Sequence, residues 1–304
     1  MLLLYYPLRL LAFIIGCFPV SWVARFGHCI GLFVCCLDKR HCRVAQANLK
    51  LIFGDKFNDD EIKMLAKENT ARVVEAYVSA ISTLQMTQEQ IEKYVTFEGV
   101  ENIRPIDKLD DYSPHVVGLI GHFGNFELYT RLAKFFKGRQ FSTTYRGFDN
   151  ALGDKLLAKL RSYSGCLFFE RRRDFAALKN LMSEKPVTIG LLADQHPGDG
   201  GKWFSFMGIE CRCSVSPAVL ALKYNCPIQP AFCYRVAPGR WKIILDPEIP
   251  TRANGNPRTI SEIIEDVNKA YEKAILRDIK NWLWGHRRWK SNPKFQEVLD
   301  QISK

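Results

Sequence analysis

Short runs of β-branched and aliphatic residues recur along the middle of the chain, and helical patterns fill the gaps between them. This alternation constrains the fold more than any other feature, because strands separated by helices pair side by side in one direction. The strand runs are 94–97, 116–120, 141–145, 166–169, 187–192, 228–234 and 241–245; helices are expected near 126–136, 150–163, 175–184 and 215–224. A longer helix starts at Asn58 or Asp59 and ends near Leu84, its apolar face running from Ile62 through Leu65, Val73 and Ile81. Thr87-x-x-Gln90 and Thr259-x-x-Glu262 have the capping-box pattern, the second opening a helix over 260–277. The expected architecture is α/β, a mainly parallel central sheet flanked by helices. At 304 residues and 47% hydrophobic, the chain can bury a large core, and no repeat or low-complexity linker divides residues 38–304. They are expected to form a single domain.

In such folds ligands collect at the carboxyl ends of the strands. His122 follows the run 116–120, between Gly121 and Gly124, which let the backbone turn sharply. Were residues 122–127 all helical, His122 and Glu127 would lie about 140° apart and could not touch. With His122 in the turn and Glu127 on the first helical turn, the carboxylate can fold back to the imidazole, fixing one tautomer and leaving the outer nitrogen as a base. Arg146 follows 141–145, Glu170-Arg171-Arg172-Arg173 closes 166–169, and Asp194-Gln195-His196 follows 187–192. A histidine among glycines is commonly only a loop residue, and any one of these arginines a solvated charge. Four strand ends together point to a site, and a guanidinium fork matches phosphate oxygens.

Residues 1–37 are the most apolar part of the chain. The uncharged window from Leu10 to Ala24 is about 15 residues against the roughly 20 a clean span requires, and Pro19 interrupts it. This stretch is expected to anchor the protein in a membrane, as two in-plane or re-entrant pieces rather than one tilted span, with Lys39, Arg40 and Arg43 marking the cytoplasmic side; a buried pair of core helices is the alternative. No small-x-small cleavage pattern follows it. Lys and Arg outnumber Asp and Glu by 43 to 32, which favours acidic partners. Nucleic acid is not expected among them: no Gly-rich phosphate loop, zinc-finger spacing or RNA-binding pattern is present. The ten cysteines include no Cys-x-x-Cys, so mostly reduced, buried thiols are expected, and neither a metal nor a cofactor.

Taken in order, these residues resemble the lysophospholipid-acyltransferase superfamily, and within it the bacterial lipid A late acyltransferases. The likeness rests on Arg43-Val44-Ala45-Gln46-Ala47-Asn48-Leu49, Gly121-His122 through Glu127, Tyr145-Arg146, Glu170-Arg171 and Leu192-Ala193-Asp194-Gln195. It continues to Trp284-x-His286-Arg287-Arg288-Trp289-Lys290. The resemblance implies a glycerol-phosphate-acyltransferase-like fold. It also implies transfer of an acyl chain from an acyl thioester, on acyl-carrier protein or CoA, to a hydroxyl of a lipid A precursor at the cytoplasmic face of the inner membrane. In that reading His122 is the general base and Glu127 orients it. Arg146 and Arg171 bind phosphate, and Glu170, Asp194 and Gln195 line the site, the two acids positioning arginines. The cluster Trp282 to Lys290 is open to two readings, membrane-interface anchoring or lining of the site. A CoA-dependent acyltransferase of glycerophospholipids or other glycolipids is the neighbouring alternative, and a non-enzymatic lipid binder the remote one.

Overall fold

The computed structural model describes residues 2–147, 157–171 and 173–303. Its centre is a seven-stranded sheet made of β1 (Val95–Glu98), β2 (Val116–Ile120), β3 (Gln140–Tyr145), β4 (Leu167–Glu170), β5 (Val187–Leu192), β8 (Ile228–Ala237) and β9 (Arg240–Leu245). The order across the sheet is β1-β9-β8-β2-β5-β3-β4. Every neighbouring pair is parallel except the hairpin β8–β9. The mainly parallel α/β expectation therefore holds.

Strand β2 is buried at all five positions, and β5 at five of six. Such strands read as unbroken apolar runs because helices cover both faces. Val117 and Leu119 join one core cluster and Val116 and Ile120 the other, the two-residue alternation of a strand packed on both sides. The helix α4 (Asp59–Thr83) opens with a full capping box from Asn58 and Glu61, and Thr87–Gln90 and Thr259–Glu262 form the other two. The first part of the helix expected over 150–163 lies outside the described residues; 157–161 are helical. Residues Phe126–Phe135 wind as a 3₁₀ segment rather than an α-helix. Buried Arg131 ties that segment's middle to the carbonyls of Thr83 and Met86, while the Tyr129 hydroxyl accepts from the Cys233 amide.

Two of the elements that went unread in the sequence stand out. One is the hairpin of β6 (Lys202–Phe206) and β7 (Ile209–Cys213), and the other is the last helix, Pro293–Ser303, packed on α3 (Lys39–Phe53). The hairpin turn has positive φ at both Met207 and Gly208, so the usual Asn-Gly or Asp-Gly signature is missing.

The apolar amino terminus forms α1 (Leu2–Gly16) and α2 (Val20–Leu37), with Pro19 at the break. Helix α2 lies against α4 through its small residues. A Cβ on Gly31 would stand 2.5 Å from Ala71 Cα, and one on Gly27 3.1 Å from Glu75 Cα. The opposite side carries Trp22, Phe26, Phe33 and Leu37, all more than 60% exposed. Gly31→Val should cost about 1–3 kcal/mol, because α4 backbone cannot yield as a side chain would. Thermal unfolding of the variant beside wild type measures it. Cys35 is joined to Cys42 across the α2–α3 turn, and the other eight cysteines are free.

Candidate active site

The sheet register brings the site together. In the parallel pair β2–β5, Ile120 lies opposite Leu192, so the residues two places beyond each strand end, His122 and Asp194, emerge side by side. Asp194 is buried, and its Oδ1 lies 2.9 Å from His122 Nδ1. Its Oδ2 accepts from the His122 amide at 2.9 Å and from Trp282 Nε1 at 2.8 Å. The buried Tyr271 hydroxyl stitches the two strand ends, donating to the Ile120 carbonyl at 2.7 Å and accepting from the Ala193 amide at 3.2 Å. Gly121 is needed beside it: a Cβ there would meet Tyr271 at 3.1 Å and the Phe123 ring at 2.8 Å.

The expected His122–Glu127 contact is not formed. Glu127 points to the other side of the 3₁₀ segment, where Arg161 Nε and Nη2 grip its carboxylate at 3.0 and 2.5 Å. Both side chains are about 10% exposed, and a buried carboxylate is held where its cation is. The guanidinium also lies over Phe168 and Tyr145, at 4.7 and 5.4 Å from their ring centres. The Phe126 ring meets His122 edge-on at 5.3 Å. Asp194, read from the sequence as a positioner of arginines, is thus the imidazole's partner. Among the described residues, no arginine hydrogen-bonds to it.

The carboxyl-terminal segment completes the turn. Phe123 and Trp282 form an isolated β-bridge, the Leu283 amide donates to the His122 carbonyl, and the Gly124 amide to the Asn281 carbonyl. Trp282, Trp284 and Trp289 are buried against Phe206 and one another, and Arg288 is buried with them. Interface anchoring by these tryptophans is therefore corrected, since none of their rings reaches the surface. Arg288 donates to the Arg212 carbonyl and to Cys213 Sγ. A hydrogen bond from Cys211, together with that guanidinium, holds the Cys213 thiol below its usual range.

Glu170, Arg171 and Gln195 line one cleft of about 340 Å³ at the ends of β3, β4 and β5, with Phe169, Phe175 and Leu192 as apolar wall. Glu170 is buried and accepts from the amides of Gly147 and Arg173, so it shapes the loops. Arg171 and Arg146 are exposed, and the register Tyr145↔Glu170 sets them side by side. Arg172 lies outside the described residues. A second cavity, on the α4 side, is the one that His122 lines. Among the described residues, no group of three His, Cys, Asp or Glu side chains could hold a metal ion.

Electrostatics favour a charged Asp194 and keep His196 and His286 neutral. Burial drives the Asp194 carboxyl upward, but the charge and hydrogen bonds of His122 and the Trp282 N–H outweigh this and hold it at about 2 instead of 3.8. Burial and nearby cations hold His196 at about 4; His286, also burial-depressed, stays near 4 despite Asp194. Because the Asp194 value is depressed on folding, its contribution to stability is complete above 3.8 and is lost as pH falls toward 2. An acid titration of wild type beside Asp194→Asn should show this component in that window in the wild type alone.

Of the residues gathered here, sequence reasoning missed Arg161, whereas Trp282 already stood in the cluster with site lining as one of its two readings. Arg161 had no signal of its own. Asp194 could have been paired with His122 by noticing that each lies two places beyond the end of an adjacent parallel strand.

A hydrogen-bonded His–Asp pair at a strand-end turn, with the imidazole lining a cavity, can take a proton from a hydroxyl. Two curated relatives are each 26% identical over 287 residues, 92% of this chain and 89% of theirs: the lipid A biosynthesis palmitoleoyltransferase of Escherichia coli (strain K12) and the lipid A biosynthesis acyltransferase of Shigella flexneri. The lipid A biosynthesis acyltransferase of Haemophilus influenzae is 25% identical, covering 91% of this chain and 87% of its own. The family model described as bacterial lipid A biosynthesis acyltransferase matches residues 5–291, and the chain belongs to that family of acyltransferases.

Proposed function

We propose that the protein transfers a fatty acyl chain from an acyl thioester on acyl-carrier protein to a hydroxyl of a lipid A precursor, at the cytoplasmic face of the inner membrane. The observation that carries this reading is the His122–Asp194 pair, with Nδ1 engaged at 2.9 Å and the ring lining a cavity. Asp194 keeps the proton on Nδ1, so Nε2 is the base. As Nε2 takes the hydroxyl proton, the oxygen bonds to the thioester carbonyl carbon. The C–S bond then breaks, and the imidazolium returns its proton to the departing thiolate. No acyl-enzyme forms, and no cysteine is needed.

Glu127 and Arg161 act elsewhere. Their ion pair walls the space beside β3 and β4, next to the apolar cleft, and orders the acyl donor. Arg146 and Arg171 stand at the mouth of that side, suited to the donor's phosphopantetheine phosphate and to an acidic carrier. The apolar outer face of α1 and α2 lies in the membrane. Exposed Lys39, Arg40 and Arg43 next to it face anionic headgroups.

Competition between acyl-carrier protein and CoA thioesters of one chain length tests the donor. The carrier thioester should be preferred by about tenfold or more at low salt, with the preference shrinking as salt screens the basic surface. Equal use of both donors at every ionic strength would favour the CoA-dependent alternative.

A further inference from the structure

The cavity lined by His122 lies between the imidazole and α4, with Arg72, Glu75, Arg235 and Asn281 on its wall. At about 20 Å³ it admits about one water-sized group, the size of a hydroxyl. Its two guanidiniums are only partly engaged. Arg235 donates through Nε to Glu75 at 2.8 and 2.9 Å, and Arg72 through Nε to Glu68 and Nη1 to Asp278, both at 2.8 Å. Both Nη groups of Arg235 and Nη2 of Arg72 have no partner among the described residues. The wall thus offers spare N–H donors beside the base. Its positive charge is more than compensated, since the three carboxylates of Glu68, Glu75 and Asp278 outnumber the two arginines. Such a wall suits a neutral, oxygen-rich group better than a bare phosphate, whose charge would face three carboxylates.

Position adds to this. Glu75, one wall of the cavity, also contacts His28 Nδ1 of α2 at 3.2 Å, so the niche lies one helix away from the apolar amino-terminal helices. The apolar cleft with Arg171 and Gln195 is a separate cavity, lined from β3, β4 and β5.

We propose that the α4-side niche is the acceptor subsite: it takes the sugar hydroxyl to be acylated, and Arg235 and Arg72 bind the oxygens flanking it on the sugar. This rests on the reading of His122 as the base of a glycolipid acyltransferase and assigns that base its second substrate's side of entry. Arg72 and Arg235 become specificity residues, distinct from the donor side at Arg146 and Arg171.

The test is a steady-state analysis of Arg72→Gln and Arg235→Lys in the full-length protein, varying acceptor glycolipid and acyl donor separately. Arg235→Lys keeps a cation for buried Glu75 and removes the Nη donors. Arg72→Gln releases only the partly exposed Glu68 and Asp278. The acceptor KM should rise about tenfold to a hundredfold in each, as expected for lost hydrogen bonds from a charged group. The donor KM and the kcat at saturating acceptor should stay within about twofold of wild type, and inorganic phosphate should not compete with the acceptor. An unchanged acceptor KM in Arg72→Gln, or an equal rise in the donor KM, overturns the assignment. Competition by phosphate overturns it as well. Melting curves accompany both variants, and Arg72→Gln alone decides if Arg235→Lys fails to fold. Failure of the function itself would look different: the wild-type protein would acylate no glycolipid at all.

Discussion

Asp194→Asn should lower turnover by about 10²–10⁴-fold with the fold intact, a larger loss than the near-isosteric change suggests. Two fixed donors, the His122 amide and Trp282 Nε1, point at Oδ2. The oxygen of an asparagine must take that place, which leaves its NH₂ against Nδ1 of the imidazole. Nδ1 then has to accept, the ring proton moves to Nε2, and that nitrogen ceases to be a base. Circular dichroism and a melting curve establish that the fold persists, and kcat measures the effect. Activity close to wild type in a folded Asp194→Asn protein would remove Asp194 from the mechanism.

His122→Ala should be as damaging, by the same factor of about 10²–10⁴ or more, because no other side chain lies in its place to accept the proton. Its ring is 19% exposed, so removing it opens little of the core. Asp194 keeps the His122 backbone amide and Trp282 as donors, which limits the cost of a buried carboxylate left by its partner. The variant is therefore expected to fold, bind membranes and do no acyl transfer. Retained transfer in the folded variant would contradict the base assignment.

Much of the sheet was legible because β2 and β5 are covered on both faces and so read as apolar runs bounded by turns; their limits, 116–120 and 187–192, match the expected ones. The position of His122 at a strand end followed from the same pattern. Its partner did not. Chain spacing suggested Glu127, five residues away, whereas the imidazole is held across a strand pair by Asp194, 72 residues on. Pairing of that kind depends on sheet order, which alternation alone leaves open. The tryptophans near residue 282 carried a similar ambiguity. Aromatic and basic residues together describe a membrane interface and a buried cluster equally well, and the bridge from Phe123 to Trp282 is what places them inside. The amino terminus has two unlike faces. Small residues of α2 seat it on α4, and its large aromatic residues face outward.

Glu127 and Arg161 show how chain spacing can single out a carboxylate and assign it another partner than the fold does. The His-x4-Glu spacing drew attention to a carboxylate that does belong to the neighbourhood, yet it is spent on a guanidinium stacked against Tyr145 and Phe168. Lysine at 161 would keep the charge but lose the fork and the flat face that rests on these rings.

The most direct measurement is the mass of a lipid A precursor after incubation with an acyl-carrier-protein thioester and the full-length protein in vesicles. The predicted result is a gain of one acyl chain as an ester, present with the wild-type protein and absent with folded His122→Ala. A glycolipid of unchanged mass with the wild-type protein, or the same gain with His122→Ala, would contradict it.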